Sequence, residues 1–304
     1  MTERRTVVVT EDYDGVRLDR ALAALAGISR SVSRQTIESG RVLVSGVNAS
    51  MGTIPHVGDT IEYPLPEEEA FHPEPVAFTV ALELEDVLVI DKPAGLVVHP
   101  GSGNKTGTLA NGLAHRFPEC AELGSGHRWG LVHRLDRDTS GLLLVARSPS
   151  MYKYLQNALK ERRIGRTYLG LVTGRPGAAT GTIEAPIGRD PLRPTRMAVV
   201  RDGRPARTHY RRLDTWDAVT LVEVTLDTGR THQIRVHFAS IGHGLVGDGT
   251  YGGTEPVDGD PGRVWLHASL LRFTLPDGSV HEVASELPED LKLSLEGLGP
   301  PQPG

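Results

Sequence analysis

Cysteine is nearly absent. The chain carries only Cys120, so it can close no internal disulfide and build no cysteine-based zinc site, which fits a reducing compartment. None of its 12 histidines falls in an HExxH pattern. No apolar run approaches the roughly 18–20 residues that span a bilayer, and the opening MTERRTVVVTEDYDG lacks the basic-then-apolar layout of a secretory leader. A cytoplasmic protein without a membrane partner is expected. The stretch GSGNKTGT from Gly101 does not have the GxxxxGK spacing of a phosphate loop and reads as a flexible surface loop.

What is present is ordinary for a folded protein: 38% hydrophobic and 23% charged residues over 304 positions, enough for two domains. The net charge of −5 conceals strong segregation. Asp59 to Asp91 holds ten acidic residues and no Lys or Arg. His127 to Arg212 holds eighteen Lys or Arg against six acidic residues, a net of +12. A basic block of that size is the electrostatic footprint of a nucleic-acid surface, the plainer alternative being a solvated face.

Along the chain, RLDRALAALA (Arg17 to Ala26) repeats apolar residues at helical spacing and stops at Gly27. Ser31 offers an N-cap to a second helix that stops at Gly40. RVLVSG and VGDTIEYPLP read as short strands, completing a small unit from Val16 to Pro66. The acidic, proline-rich stretch that follows reads as a linker. Beyond it the pattern is mixed α and β. Strand candidates are Asp86 to Asp91, Leu142 to Ala146, Thr167 to Val172 and Val219 to Leu226. A helix over MYKYLQNALKERR has Ser148 as N-cap and Pro149 at its first position. His232 to Ile241, ended by Gly242, reads as a helix whose alternation also suits a strand. The expected division is residues 1–65, a linker over 66–76, a larger domain over 77–290 and a flexible tail over 291–304.

The densest chemical constellation is HRLDRDTSGLLLVAR, His133 to Arg147. Asp136 lies between Arg134 and Arg137 and precedes a turn that feeds a continuous apolar strand. A carboxylate on that rigid support suits a nucleophile or general base, and flanking cations favour its ionised form. The plain alternative is a turn Asp capping local backbone. The kinase reading of His-Arg-x-Asp fails, because no GxGxxGxV loop and no DFG accompany it. In DTGRTHQIRVH, Asp227 to His237, charged side chains sit in a core-like stretch and need partners; Arg235 is a candidate to pair with Asp136. Tyr168 falls in the strand RTYLGLV, where it is either plain core or a residue that stacks on a base.

In order, KPAGLVVHP, HRLDRDTSGLLLVAR, RTYLGLV and TGRTHQIRVHFASIGHGLVGDGTYG resemble the RluA family of RNA pseudouridine synthases, over roughly Val80 to Phe273. The resemblance implies an α+β fold on a mixed, largely antiparallel sheet with a cleft across its middle. It also implies isomerisation of uridine to pseudouridine in RNA, without metal or other cofactor. By the family pattern Asp136 is the catalytic carboxylate, Tyr168 stacks on the uracil and assists at C5, Arg235 pairs with the aspartate, and Arg134 enters the RNA stack. The N-terminal pieces VRLDRALA, SRSVSRQTIESGRVLVSG and VGDTI resemble the alpha-L RNA-binding module, with Arg17, Arg30, Ser31, Arg34, Gln35 and Arg41 on its RNA face; Ser45 departs from the Asn usual before Gly. Module and core together are the layout that acts on large-subunit ribosomal RNA, as a monomer. The competing readings are an inactive RNA-binding assembly factor, against which the intact Asp136, Tyr168 and Arg235 set argues, and an Asp-dependent glycoside hydrolase. The latter needs a second, suitably spaced carboxylate, and Asp138 is only two residues away.

Overall fold

The computed structural model describes residues 4–28, 30–64, 71–101, 104–120, 123–124, 128–252 and 260–302, with the Ser31 side chain outside that set. The chain forms two compact units, Met1–Ala70 and Phe71–Gly304.

The first unit carries β1 (Arg4–Val8), α1 (Leu18–Ala26), α2 (Arg30–Glu38), β2 (Leu43–Val44), β3 (Val47–Asn48) and β4 (Thr60–Pro64), with sheet order β1-β4-β2-β3. Leu18 and Leu22, one helical turn apart, bury one face of α1 against Ile37, Val42, Ile61 and Tyr63. Gly27 ends the helix in the left-handed region, φ 67°. Strand β1 lies within the expected residues 1–65 but ahead of the elements read from the sequence, which begin at Val16. Helix α2 begins at Arg30, so Ser31 sits inside its first turn rather than capping it. Arg30 anchors that start by donating to the buried carboxylate of Asp19 at 3.0 Å. Ser45 and Gly46 both have positive φ, 47° and 79°, forming the two-residue turn between β2 and β3 that usually calls for Asn. The Ser45 hydroxyl donates to Asp59 at 2.7 Å.

The second unit adds β5 (Thr79–Glu83), β6 (Val87–Lys92), α3 (Leu109–Arg116), β7 (Ser140–Ala146), α4 (Pro149–Lys160), β8 (Gly165–Thr173), β9 (Thr180–Glu184), β10 (Ile187–Arg189), β11 (Met197–Val199), β12 (Arg207–Thr215), β13 (Val219–Leu226), α5 (Gln233–Ser240), β14 (Leu266–Thr274), β15 (Val280–Ala284) and α6 (Glu289–Gly297). Its sheet runs β5-β6-β7-β14-β8-β13-β12-β9, with β15 on β14. Among the described residues every pairing in it is antiparallel except that of β7 with β14, so the fold is α+β on a mixed, largely antiparallel sheet. Every residue of β7 is buried, which is why it reads as an unbroken apolar run. At its start Gly141 has φ 107°, and a Cβ there would collide with the Ala268 carbonyl of β14.

Ser148 accepts from the Met151 amide at 3.3 Å to cap α4, which ends at Lys160; Arg162, in the left-handed region, then turns the chain toward β8. The segment from His232 to Ile241 is helical as α5, not a strand.

Two expectations are corrected. The tail from residue 291 is not free. Leu291 is fully buried in α6, the Trp265 indole donates to Ser294 at 2.9 Å, and the Trp216 indole donates to the Gly299 carbonyl at 2.9 Å. The buried Trp265 indole needs an acceptor, and this segment supplies it. Nor are residues 71–76 a free linker. Phe71 stacks on Trp129, His72 accepts from the Asn111 side chain at 2.8 Å, and Glu74 accepts from the Gly107 amide at 2.8 Å. Residues 66–70 lie outside the described residues.

Candidate active site

The loop 133–139 enters β7 beside the parallel pairing with β14, and its backbone is held by hydrogen bonds from residue 136 to 139. The Arg137 carbonyl accepts from the Gly95 amide at 2.9 Å and from Lys92 Nζ at 2.9 Å. Lys92 is fully buried and also donates to the carbonyls of Pro93 and Leu96, so its three protons tie the end of β6 to the Asp136 loop. Burial pulls its amine down to about 7, against the opposing charges of Asp138 and Asp136. Arg263 donates to the Asp138 carbonyl at 3.0 Å and to Ser140 Oγ at 3.3 Å. His133 Nε2 accepts from the Leu144 amide at 3.0 Å, and burial pushes this imidazole down to about 3, keeping it neutral.

Asp136 is thereby presented on a fixed loop with 16% of its side chain exposed. The structure brings Arg235 to it from α5, Nη1 to Oδ2 at 3.3 Å. The stronger grip of Arg235 is elsewhere: Nε and Nη2 form a two-pronged pair with the fully buried Asp248, at 2.7 and 2.8 Å. Burial opposes the charge on Arg235, but Asp248 and then Asp136 hold its guanidinium above the usual range. His232 faces the other carboxylate oxygen, Nε2 to Oδ1 at 3.8 Å. The sequence neighbours of Asp136 are not its spatial partners. Arg134 is exposed, and Arg137 points toward Gly95 and Asp138.

Tyr168, on β8, is 5% exposed and lines the same cleft. Burial raises its phenol, with Arg166 opposing and Asp136 adding to the rise, so it rests as the neutral hydroxyl. The cleft, about 750 Å³, is lined by Arg128, Arg134, Lys160, Arg162, Arg166, Arg204, Arg230 and Arg235 against Asp136 and Asp227, eight cations to two carboxylates. A concave surface of that sign concentrates a polyanion at the carboxylate. Asp138, the second carboxylate considered from sequence, is exposed beside Arg137. Among the described residues no group of three or more His, Cys, Asp or Glu is placed to hold a metal, and no helix is long and apolar enough to cross a membrane.

In the first unit Arg17, Arg30, Arg34, Gln35 and Arg41 are all exposed, and the Ser31 side chain lies outside the described residues. Arg17 and Arg30 meet at Asp19, each at 3.0 Å; the Arg30 bond ties α2 to α1, and the Arg17 bond is local to the start of α1. Arg34 pairs with Glu38 at 3.7 Å, and Arg41 donates to Ser39 at 3.3 Å. Sequence reasoning gave no role to Lys92, His232, Asp248 or Tyr251. The available signal for Asp248 was charge: a core-like arginine between Gln233 and Phe238 calls for more than one carboxylate.

A family model described as RNA pseudouridylate synthase matches residues 86–240. An uncharacterized RNA pseudouridine synthase of Chloroflexus aurantiacus is 46% identical over 97% of this chain and 94% of its own length. The ribosomal large subunit pseudouridine synthase D of Nitrosomonas europaea is 41% identical over 96% of this chain and 87% of its own. Among solved structures, human RNA pseudouridylate synthase domain containing 1 superposes with a TM-score of 0.58 at 29% identity, covering 73% of this chain and 89% of that one. The chain belongs to the RNA pseudouridylate synthase family, isomerases that convert uridine in RNA to pseudouridine.

Proposed function

We propose that this enzyme modifies large-subunit ribosomal RNA, with Asp136 opening the reaction and Tyr168, Arg235 and Arg134 assisting. The observation that carries the residue assignment is a carboxylate, bound to Arg235 on one side, facing a cleft whose other charges are nearly all positive. The choice of RNA leans on the Nitrosomonas relative, whose name places it on the large ribosomal subunit. In the reaction the N1–C1′ bond breaks, the uracil turns over, C5 joins C1′, the C5 proton leaves and N1 gains one. Electrons balance without a redox partner.

The base must leave its stack before it can turn, at a cost of a few kcal/mol. Arg134, exposed at the cleft, fills the gap, and the ring of Tyr168 receives the flipped base. Asp136 then acts as nucleophile at C1′ or as base toward the sugar, and either task needs an ionised oxygen with a lone pair open to the cleft. A buried phenol raised above its usual range is a poor resting base, so Tyr168 passes the C5 proton onward as it accepts it. The enzyme acts as a monomer in the cytoplasm, a reducing compartment that suits a chain with a single cysteine.

Ribosomal RNA carrying tritium at C5 of uridine should release label with no free uracil, in chelator and without added nucleotide. Pseudouridine should vanish from defined large-subunit positions in cells lacking the gene. Free uracil would point to a hydrolase, and an unchanged large-subunit map would move the substrate to another RNA.

The first unit, read as an alpha-L module, anchors the RNA through Arg17, Arg30, Ser31, Arg34, Gln35 and Arg41. Removing residues 1–70 should weaken binding and flatten its salt dependence by about 0.7–0.9 in slope for each phosphate that is no longer neutralised. Single-turnover rates on saturating RNA should persist. Unchanged affinity and slope would show that the unit binds something else.

A further inference from the structure

We propose that His232 is a positioning residue for Asp136, a neutral imidazole whose tautomer is set by Tyr251 so that its Nε2–H faces the carboxylate. The inference rests on Asp136 being the reactive group. Tyr251 Oη accepts from the Met197 amide at 3.0 Å, and His232 Nδ1 lies 2.6 Å from the same oxygen. A phenol oxygen has one good in-plane acceptor direction beside its own proton, and Met197 occupies it. The hydroxyl proton therefore goes to Nδ1. Guanidinium groups of Arg235 and Arg196 lie 5.0 and 5.1 Å from the Tyr251 ring centroid, and both positive charges strengthen the hydroxyl as a donor. With Nδ1 accepting, a neutral His232 carries its proton on Nε2, which points at Asp136 Oδ1 from 3.8 Å.

Two further observations agree. Burial lowers the imidazole below its ordinary range; Arg235 and Arg134 push in the same direction, while Asp136 and Asp248 oppose. His232 also holds a left-handed backbone, φ 56°, at the start of α5, and its side chain makes no capping bond there. Left-handed backbone is uncommon outside Gly, and Asn bears it as readily as His. The imidazole is kept for what its ring reaches.

Arg235 holds Oδ2 by a hydrogen bond and His232 faces Oδ1 from 3.8 Å, so the carboxylate is oriented from both sides while lone pairs remain for the cleft. The 3.8 Å gap at Oδ1 exceeds hydrogen-bond range in the free enzyme, and a side-chain shift of His232 on RNA binding is expected to shorten it. Charging the imidazole would break the Tyr251 bond and pin Asp136 in an ion pair, lowering its reactivity. Below the His232 pKa activity should therefore fall.

The test is single-turnover rate against pH for wild type and three variants, with 15N shifts of the His232 ring in the wild-type protein. The shifts should report a proton on Nε2; a proton on Nδ1 overturns the proposal, whatever the variants do. Tyr251→Phe keeps the ring between the guanidiniums but frees Nδ1, so the acid limb should move up toward the ordinary histidine range while the alkaline plateau holds. His232→Gln can place an amide N–H where Nε2 was and should stay within about tenfold of wild type. His232→Asn tolerates the backbone but is too short, and should lose about a hundredfold in rate with RNA affinity unchanged. A wild-type pH profile in Tyr251→Phe, or equal losses in the Gln and Asn variants, would leave His232 a structural residue. If Asp136→Asn stays active, the residue assignment under it fails instead, and that outcome is independent of the ring shifts.

Discussion

Asp136→Asn is expected to lower single-turnover pseudouridine formation by at least about a thousandfold, roughly 4 kcal/mol of barrier, while RNA affinity and thermal stability stay near wild type. Asparagine fills the same volume and can still accept from Arg235 Nη1, which lies 3.3 Å from the carboxylate. The pinned backbone of the loop does not depend on the side chain, since Lys92, Gly95 and Arg263 hold carbonyls of Arg137 and Asp138. What disappears is the charge that attack on C1′ or removal of a sugar proton requires. A rate within about tenfold of wild type, a barrier change of only ~1.4 kcal/mol, would remove Asp136 from the mechanism.

Much of this site is legible in the sequence because its carriers are local. The Asp136 turn precedes an apolar run that is buried at every position of β7, and Ser148 with Pro149 announces α4. Residues such as Gly27 and Gly40 mark helix ends because left-handed backbone is required there. The ordered motifs then identify the family more sharply than any single residue chemistry does.

The rest depends on contacts between distant segments. Arg134 and Arg137 flank Asp136 in sequence, yet the cation that reaches it is 99 positions away. Adjacent residues in a turn diverge, whereas a sheet with crossovers brings α5 over the mouth of β7. Asp248 and Tyr251 lie in a glycine-rich stretch whose composition reads as loop, and nothing in their spacing announces the bonds to Arg235 and His232. The tail misleads for a related reason. Its apolar residues at 291, 295 and 298 follow helical spacing, but the closing LGPPQPG suggests fraying, and the need of Trp216 and Trp265 for acceptors shows only in three dimensions.

Arg235→Met should be costly for both stability and chemistry, and the two losses should separate. Arg235 spans two carboxylates, the fully buried Asp248 and the partly exposed Asp136. Without it, among the described residues Asp248 keeps only backbone donors, the amides of Thr250 and Tyr251 at 3.0 and 3.2 Å. Removing one member of a buried pair typically costs about 3–5 kcal/mol, because the remaining charge stays out of water uncompensated. Denaturant unfolding of the full chain at pH 8 should show a loss of that order in the transition of the second unit. The deficit should shrink as pH falls: a buried carboxylate without its counter-ion gains by taking a proton in the folded state, so the folded variant binds more protons than the unfolded one and stability declines as pH rises. Adding Asp248→Asn to Arg235→Met neutralises the stranded charge and should recover much of the stability while activity stays low, since Asp136 still lacks its partner. Arg235→Lys should not restore the pair, because a point charge cannot bridge both carboxylates as a planar fork does. A loss below about 1 kcal/mol at pH 8 would make these bridges no stronger than surface pairs, and recovery of activity in the double variant would show that Arg235 serves Asp248 alone.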